Sequence, residues 1–558
     1  MKKIMALLLA ATMTVSLAAC SGNSGTGSTA ANGSEGSGEV VSSDSSDAAS
    51  GDAGGYVDVV GSAAPGAIAT ESARDTFNFA MVGEPITLDP CNSKDATTPT
   101  GWMYSSQLYD TLLLFDPNTQ EFYPRLATSW EINDDFTEIV FELRKDAKFH
   151  CGELITADHV VWSLTHAMES EFTASLSEAI DHFEKVDDNH IKLVMKYAYA
   201  PILQVMTVPC WGIICQDDYE KSVAEGTDFG RNPCGSGAYK LASWETGKQL
   251  TFDAVEGYWE GEPGIKHVVN TIVGDVSSGA LALEQGSIDY FPSVSTTDFD
   301  YLSTLDNVHT ELLPGTAIVA ICMNTQREPF TDVRVRQAIA LALNREEILL
   351  GGKDGMGSVA NCYCAPVCTG YDASFEATAQ DLEKAKALLT EAGYPDGFTV
   401  ECQQDSSPTY LNVAEVVQAQ LKEIGINLEF NKMERTTWMD LVSVQMDFDI
   451  TVRQSMYSIF DADYLLTRRL HSKNIGAAGN YSGYSNKELD EILDAARIES
   501  DTTKRNELYS EAYTIVRDEA PMVPLLYNAS LQAISSKLMG MMDDFSWKDL
   551  WNRLYFIA

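Results

Sequence analysis

The alternation of hydrophobic and polar residues is clearest between residues 126 and 168. A polar turn at residues 133–135 precedes a run in which Ile139, Phe141 and Leu143 share one face, which predicts a strand. Thr156 then predicts the N-cap of a helix. The apolar positions of this helix recur at helical spacing and are Val160, Val161, Leu164 and Met168. The stretch therefore predicts a strand packed against an amphipathic helix.

Residues 381–433 alternate between helix and strand patterns. A helical pattern ends at Gly393, a strand pattern covers residues 398–402, a second helical pattern ends at Gly425, and another strand begins at Ile426. Strand, helix and strand in this order predict a right-handed crossover in a parallel sheet. The pattern predicts an α/β fold class.

The composition is that of a folded and strongly acidic protein. The chain has 558 residues, 45% of them hydrophobic, and a formal net charge of −43. This length exceeds one ordinary hydrophobic core, so two or more substructures are expected. Nucleic acid repels such a surface and no basic tract offsets the charge, which argues against nucleic-acid binding. We expect a monomer.

The N-terminal residues predict export and lipid attachment. Two lysines precede an apolar run at residues 4–15, too short to span a bilayer but typical of a signal peptide over residues 1–19. Leu17-Ala18-Ala19-Cys20 resembles the lipobox of bacterial lipoproteins, which implies acylation of Cys20; an ordinary secretory signal is the alternative. Residues 20–75 are rich in serine, glycine and alanine, which predicts a disordered tether outside the cell.

Four motifs resemble one known family. Residues 126–168 contain W-E, a polar turn, F-x-L-R-x-x-x-K-F-H-x-G and T-A-D-x-V; residues 84–90 read E-P-x-x-L-D-P, residues 233–239 P-x-G-x-G-x-Y, and residues 329–338 P-F-x-D-x-R-V-R-Q-A. Together they resemble the bacterial extracellular solute-binding proteins of family 5, which are the oligopeptide-, dipeptide- and nickel-binding lipoproteins of ABC importers.

The resemblance implies a two-lobed periplasmic-binding-protein-like fold of class II, with a ligand cleft between the lobes. In that family the chain crosses twice between lobes, which implies crossings near residues 315–321 and 521–527. The implied limits are 76–316 for lobe I, with an inserted subdomain at about 111–230, then 317–527 for lobe II and 528–558 for the return to lobe I.

The resemblance also places the ligand. Peptide-binding members hold the ligand's ammonium group with an aspartate that falls near Ser458 in this sequence, and Asp461 and Asp463 match the segment after it. Because a buried ammonium without an anion is costly, another anion or another ligand is expected. Arg453 is a candidate for binding a ligand carboxylate, and a surface or inter-lobe salt bridge is the alternative.

Further cleft residues are expected from the same resemblance. Asp89 belongs to the loop that borders the cleft in the family, although an ordinary turn is the alternative. The candidate cleft aromatics, for each of which a core role is the alternative, are Tyr457, Phe460, Tyr258, Trp211 and Trp438.

The chain has eleven cysteines, which is many for such a protein. Beyond Cys20, disulfides and free thiols both remain open. Cys362, Cys364 and Cys368 are weak candidates for a metal site because their spacing matches no common zinc module, and His471 is a further weak candidate. Cys151 stands where the family motif has aspartate. No cofactor is predicted.

These observations predict a lipid-anchored binding protein, not an enzyme. It would capture short peptides or related small polar solutes and deliver them to an ABC permease and its ATPase subunits. A nickel, metallophore or haem carrier and a ligand-binding sensory lipoprotein are the alternatives. A secreted hydrolase is disfavoured because neither G-x-S-x-G nor H-E-x-x-H occurs.

Overall fold

The computed structural model describes residues 56–60, 68–476, 479–541 and 550–558. The predicted signal peptide and Cys20 lie outside the described residues, and so does most of the predicted tether.

The strands follow one another along the chain as β1 (Tyr56–Val60), β2 (Thr76–Val82), β3 (Leu113–Asp116), β4 (Glu121–Pro124), β5 (Ala127–Asn133), β6 (Glu138–Leu143), β7 (Ile180–Lys185), β8 (His190–Met195), β9 (Tyr239–Glu245), β10 (Gln249–Ala254), β11 (His267–Val273), β12 (Tyr290–Phe291), β13 (Val308–Met323), β14 (Gly357–Val359), β15 (Phe398–Asp405), β16 (Ile426–Met433), β17 (Ile450–Met456), β18 (Met522–Ser535), β19 (Leu538–Met539) and β20 (Tyr555–Phe556).

The α-helices are α1 (Pro99–Leu108), α2 (Ala157–Glu169), α3 (Ile202–Val205), α4 (Gln216–Glu225), α5 (Val276–Glu284), α6 (Thr296–Leu302), α7 (Val333–Ala342), α8 (Arg345–Lys353), α9 (Leu382–Glu391), α10 (Pro408–Lys422), α11 (Arg435–Met439), α12 (Ala462–Leu470), α13 (Lys487–Ile498) and α14 (Thr502–Glu519).

One 11-stranded sheet runs through both halves of the protein. Its order is β16-β15-β17-β13-β18-β12-β2-β11-β10-β9, with β14 paired to β18. We call the half with β1–β12 and α1–α6, which includes the five-stranded sheet described below, lobe I, and the half with β14–β17 and α7–α14 lobe II. The long strands β13 and β18 pair antiparallel from Val308 opposite Ser535 to Cys322 opposite Met522, and pass through both lobes. The residue limits given above for the lobes stay a prediction.

The predicted α/β unit at residues 381–433 is confirmed. β15 and β16 pair in parallel, with Phe398 opposite Ile426, and α10 connects them. The apolar faces of α7, α9 and α10 cover one side of this part of the sheet. On the opposite side, α12–α14 and the segment 360–368 form a second core. The lobe II sheet is therefore buried on both faces, as expected for parallel strands.

The second large sheet belongs to lobe I and has the order β1-β5-β6-β8-β7. It contains the predicted strand β6, whose Ile139 and Phe141 are fully buried, and α2 packs against it. The predicted N-cap of α2 is confirmed, because the Thr156 hydroxyl accepts a hydrogen bond from the His159 N–H at 3.4 Å.

The predicted tether, residues 20–75, includes residues that pair with the folded part of the chain. Tyr56–Val60 pairs antiparallel with β5 as an edge strand, and the Ala69 N–H donates to the Asn552 carbonyl at 2.9 Å. Arg74 forms an ion pair with the mostly buried Asp289. The average composition of residues 20–75 hid the short apolar run Tyr56-Val57-Asp58-Val59-Val60, because serine, glycine and alanine dominate the rest of the segment.

Because the backbones of β13 and β18 lie close together at Gly315, we expect substitution of this glycine by a larger residue to destabilise the protein. A Cβ added there would lie 1.8 Å from the Asn528 carbonyl oxygen, whereas a Cβ at the exposed Gly274 would meet nothing within 4 Å. Gly315→Ala should therefore lower the free energy of unfolding in urea by about 1–3 kcal/mol. Gly274→Ala, the control, should change it by less than about 0.5 kcal/mol. Equal effects in the two variants would contradict this close approach.

Candidate functional site at the lobe boundary

Several of the residues predicted to bind ligand lie between Arg453 and Asp463, in or beside the segment that joins β17 to α12. β17 pairs with β13, with Met456 opposite Ala317, so the chain leaves the lobe II sheet where the lobes meet. In the following loop, Ile459 is buried in a lobe I core cluster. The Phe460 ring stacks on Phe115 of lobe I with centroids 6.0 Å apart. The structure thus places this segment at the lobe boundary.

Arginines of lobe II neutralise both acids of the segment. Asp461 is fully buried and accepts hydrogen bonds from both terminal nitrogens of Arg505, at 2.7 and 2.6 Å. Burial opposes the charge on Arg505, but the Asp461 carboxylate raises the pKa of this arginine above its ordinary value. Asp463 lies 3.4 Å from Nε of Arg497. Both carboxylates are therefore engaged within the protein and are poorly placed to bind a ligand's ammonium group.

Asp463 also connects the two lobes. It accepts a hydrogen bond from the hydroxyl of Tyr199 in lobe I at 3.1 Å. A second connection lies nearby, where Gln204 of lobe I donates to the Thr369 hydroxyl of lobe II at 2.9 Å. On another face, the Thr296 hydroxyl donates to the Asp354 carboxylate at 2.8 Å. The lobes are held together by side-chain contacts as well as by β13 and β18.

Ser458, near which the resemblance places the family's anchoring aspartate, has a cationic neighbour. Its hydroxyl lies 2.9 Å from that of Tyr464, which accepts a hydrogen bond from Arg468 at 2.9 Å. Among the described residues, no carboxylate lies within ion-pair distance of Arg468. A guanidinium at this place disfavours a ligand ammonium and favours an anionic or neutral group.

Arg453, expected to face the cleft or to form a surface or inter-lobe salt bridge, is instead buried against aromatic side chains. It is 3% exposed, and its guanidinium carbon lies 3.9 Å from the ring centre of Tyr481 and 5.3 Å from that of Trp438. The reason is strand alternation: Arg453 points to the side of β17 that is covered by α12, whereas Gln454 and Met456 point to the other side.

The candidate aromatic residues have roles in the protein core. Tyr457 donates to the Tyr363 carbonyl at 3.3 Å, and Trp438 donates to the Gln403 carbonyl at 3.1 Å. Tyr258 donates to Asp110 at 2.9 Å inside lobe I, and Trp211 is buried in the core beneath the five-stranded sheet. Phe460 alone stacks across the boundary.

Asp89 is bonded within its own turn. Its carboxylate accepts a hydrogen bond from the Cys91 N–H at 3.2 Å, and it is 8% exposed. Burial raises its pKa above the ordinary value, which the hydrogen bond from Cys91 only partly offsets. This arrangement agrees with the ordinary-turn interpretation.

Two grooves lie along the lobe boundary. The larger, about 630 Å³, has the start of α6 on its lobe I side, with Ser295 and Thr296, and Asp354, Gln454 and Met456 on its lobe II side. The other, about 420 Å³, lies between residues 115–122 of lobe I and residues 366–371 of lobe II. The sequence interpretation missed the larger groove, although the alternation of Gln454 and Met456 along β17 carried a signal for it.

The weak metal candidates do not assemble into a metal site. Cys362, Cys364 and Cys368 are buried, but their sulfurs are not part of any converging set of three or more ligand atoms in the described residues. Instead, the Cys362 sulfur lies 3.6 Å from the Tyr527 hydroxyl. The His471 ring lies 3.3 Å from Asp490 and 3.2 Å from Asp494, away from these cysteines.

The fold and the boundary between its lobes define a two-lobed binding protein. The sequence profile of the bacterial extracellular solute-binding proteins, family 5 Middle, matches residues 121–477. The chain belongs to this family.

Individual relatives extend the comparison to most of the chain. Heme-binding protein A of Haemophilus influenzae is 27% identical over 501 residues, which cover 85% of this chain and 90% of that protein. The dipeptide-binding protein of Escherichia coli is 25% identical over 506 residues, covering 86% and 94%. The periplasmic binding protein DppA of Helicobacter pylori, solved with the peptide STSA, has a TM-score of 0.74 at 25% identity and covers 86% of this chain and 98% of its own.

We expect the hydrogen bond between Tyr199 and Asp463 to help hold the two lobes together. Tyr199→Phe should lower the free energy of unfolding by about 1.5 kcal/mol, because a bond to a charged acceptor is lost. Small-angle scattering should show a larger radius of gyration if the lobes separate. The control is Tyr197→Phe, since the buried Tyr197 hydroxyl has no hydrogen-bond partner in the described structure. If both variants behave alike, the Tyr199 bond does not hold the lobes.

Proposed function

We propose that this protein is the substrate-binding component of an ABC importer, and that it captures short peptides or related small polar solutes outside the cell. The observation that carries the proposal is the position of residues 457–463. The segment that binds ligand in the resembled family lies here where two lobes meet, and the lobes are linked by β13 and β18. Such an arrangement permits closure of the lobes around a ligand.

The relatives support a peptide as the ligand class. The dipeptide-binding protein of Escherichia coli and the peptide-bound protein of Helicobacter pylori each align with more than four fifths of this chain. In this proposal the closed complex docks on a membrane permease, whose ATPase subunits drive uptake. The protein itself acts as a monomer and performs no reaction.

The side chains near Ser458 support a preference within this class. Arg468 reaches the Tyr464 hydroxyl beside Ser458, and Asp461 and Asp463 are paired with arginines. A peptide with a free ammonium therefore lacks the anion that the family provides at this position. We propose that the preferred ligands have a blocked, neutral or acidic group there.

Haem is the second candidate cargo, because heme-binding protein A is among the relatives of this chain. Its recognition would need apolar surface and an axial ligand. Among the eight histidines, His471 is the candidate axial ligand because it follows the predicted ligand segment. Its ring, however, is held between Asp490 and Asp494. This arrangement favours the peptide proposal over haem.

Ligand binding is tested by the thermal midpoint of the purified protein. A ligand at 100 times its dissociation constant stabilises the folded state by about 2.7 kcal/mol, which raises the midpoint by a few degrees. We expect N-acetylated and acidic peptides of two to five residues to raise it at least as much as free peptides do. A shift with haem or nickel but with no peptide would reject peptide as the cargo.

Ser458→Asp tests the assignment of the anchoring position. A carboxylate at residue 458 should strengthen the binding of peptides with a free ammonium about tenfold, which corresponds to about 1.4 kcal/mol. Ser458→Asn introduces a side chain of the same size as aspartate but without its charge, and it should leave the affinity of the unchanged protein unaltered. Calorimetric titration of a peptide and its N-acetylated form measures both variants. If the aspartate variant gains nothing over the asparagine variant, residue 458 does not face the ligand's N-terminus.

We also propose that Cys20 carries a lipid that attaches the protein to the outer face of the cell membrane. None of the helices in the described part of the chain is both long and apolar enough to cross a bilayer. The lipobox at residues 17–20 supports attachment through the cysteine.

Cys20→Ala should abolish labelling by radioactive palmitate and release the protein from the membrane fraction. Cys151→Ser, which removes an exposed cysteine elsewhere, should keep both label and attachment. Labelling that survives in Cys20→Ala would contradict the assignment.

A further inference from the structure

Three cysteines that are distant in sequence come together inside lobe I. Cys151 lies in the turn after β6, Cys215 is the N-cap residue of α4, and Cys234 precedes β9. Their sulfurs and a carboxylate oxygen of Asp218 all lie within 4.8 Å of one another. Among the described residues this is the one group of three or more such side chains whose ligand atoms converge. Neither the lobe boundary nor its grooves include these residues.

The backbone around this cluster is held in place by hydrogen bonds between the segments that supply it. The His150 N–H donates to the Gly235 carbonyl at 2.8 Å, and the Gly235 N–H donates to Nδ1 of His150 at 3.1 Å. The Cys215 N–H donates to the Cys234 carbonyl at 3.0 Å. The three thiols are therefore positioned by the fold before any ligand arrives.

The spacing of the thiols fits a shared ion better than a covalent bond. The sulfurs of Cys151 and Cys215 lie 3.9 Å apart. A disulfide requires about 2.05 Å. Two thiolates bound at about 2.3 Å to one tetrahedral zinc ion lie roughly 3.8 Å apart. The observed distance agrees with the second arrangement.

The position of the cluster also stabilises the negative charge of side chains that would bind a metal ion. Cys215 and Asp218 belong to the N-terminal turn of α4, where the helix dipole stabilises negative charge. Thiolates are soft ligands that favour zinc over magnesium or calcium, and a carboxylate completes a set of four. Four protein ligands leave no open position for a reacting water, which is typical of a structural site.

We propose that Cys151, Cys215, Cys234 and Asp218 form a structural zinc site that fastens three segments of lobe I. The site is separate from the cargo proposed above and does not depend on it. It also gives a reason for cysteine at residue 151, where the resembled family has aspartate.

The test is a metal titration of the full chain after reduction of its thiols and removal of bound metal. We expect one Co²⁺ per chain, with a thiolate-to-cobalt charge-transfer band that Zn²⁺ abolishes by displacement. Zn²⁺ should also raise the thermal midpoint. Cys151→Ser, at an exposed position, should weaken Zn²⁺ binding at least tenfold and remove the zinc-dependent rise in the midpoint.

Matched variants separate the proposed site from other acids and thiols. Asp218→Asn should weaken binding while leaving the charge-transfer band, whereas Asp217→Asn, at the exposed neighbouring acid, should behave as the unchanged protein. Cys362→Ser tests the other cysteine cluster and should also bind normally. Circular dichroism without metal checks that each variant folds, and any shift caused by peptides should be the same with and without Cys151.

Three results would overturn the proposal. The first is the absence of stoichiometric Co²⁺ or Zn²⁺ binding by the reduced protein. The second is unchanged affinity in both Cys151→Ser and Asp218→Asn, or its loss in Cys362→Ser. The third is a disulfide between Cys151 and Cys215, found by thiol counting and peptide mapping, that persists when the protein is prepared with zinc.

Discussion

The antiparallel pairing of β13 with β18 is the interaction on which the rest of the structure depends. These two strands continue through both lobes, so the sheet of lobe I and that of lobe II are parts of one hydrogen-bonded layer. Side-chain contacts across the lobe boundary, such as the hydrogen bond between Tyr199 and Asp463, add to this connection. The position of the segment 457–463 follows from it, because β17 pairs directly with β13.

The chemistry of the boundary differs from what its local motif implies. Asp461 and Asp463 match the family segment, but the fold uses them to neutralise Arg505 and Arg497. A buried carboxylate paired with a guanidinium is strongly disfavoured from binding a second cation, because the pair already satisfies both charges. Ser458 and Arg468 then set the character of the position that remains. The proposed preference for blocked or acidic ligands rests on this distribution of charge.

The cysteines divide into separate groups according to their surroundings. Cys322 and Cys402 are fully buried in apolar cores, where a cysteine serves as a small hydrophobic residue. Cys362, Cys364 and Cys368 pack on the second face of the lobe II sheet. The sulfurs of Cys151, Cys215 and Cys234 instead lie within 4.8 Å of one another and of a carboxylate oxygen of Asp218. The protein thus has a cluster of metal-ligating side chains that is separate from the lobe boundary, where we place the cargo.

The sequence by itself determined the α/β class, the crossover at residues 398–433, the N-cap at Thr156 and the family, because periodicity and motifs are local properties of the chain. It did not determine which way Arg453 points, since a shift of one position along β17 separates the buried face from the groove that Gln454 and Met456 line. Nor did it reveal that residues 56–60 pair with β5, or that cysteines 64 residues apart meet at 3.9 Å. Charge pairing, side-chain direction and the convergence of distant residues depend on long-range contacts, and only the tertiary structure decided them.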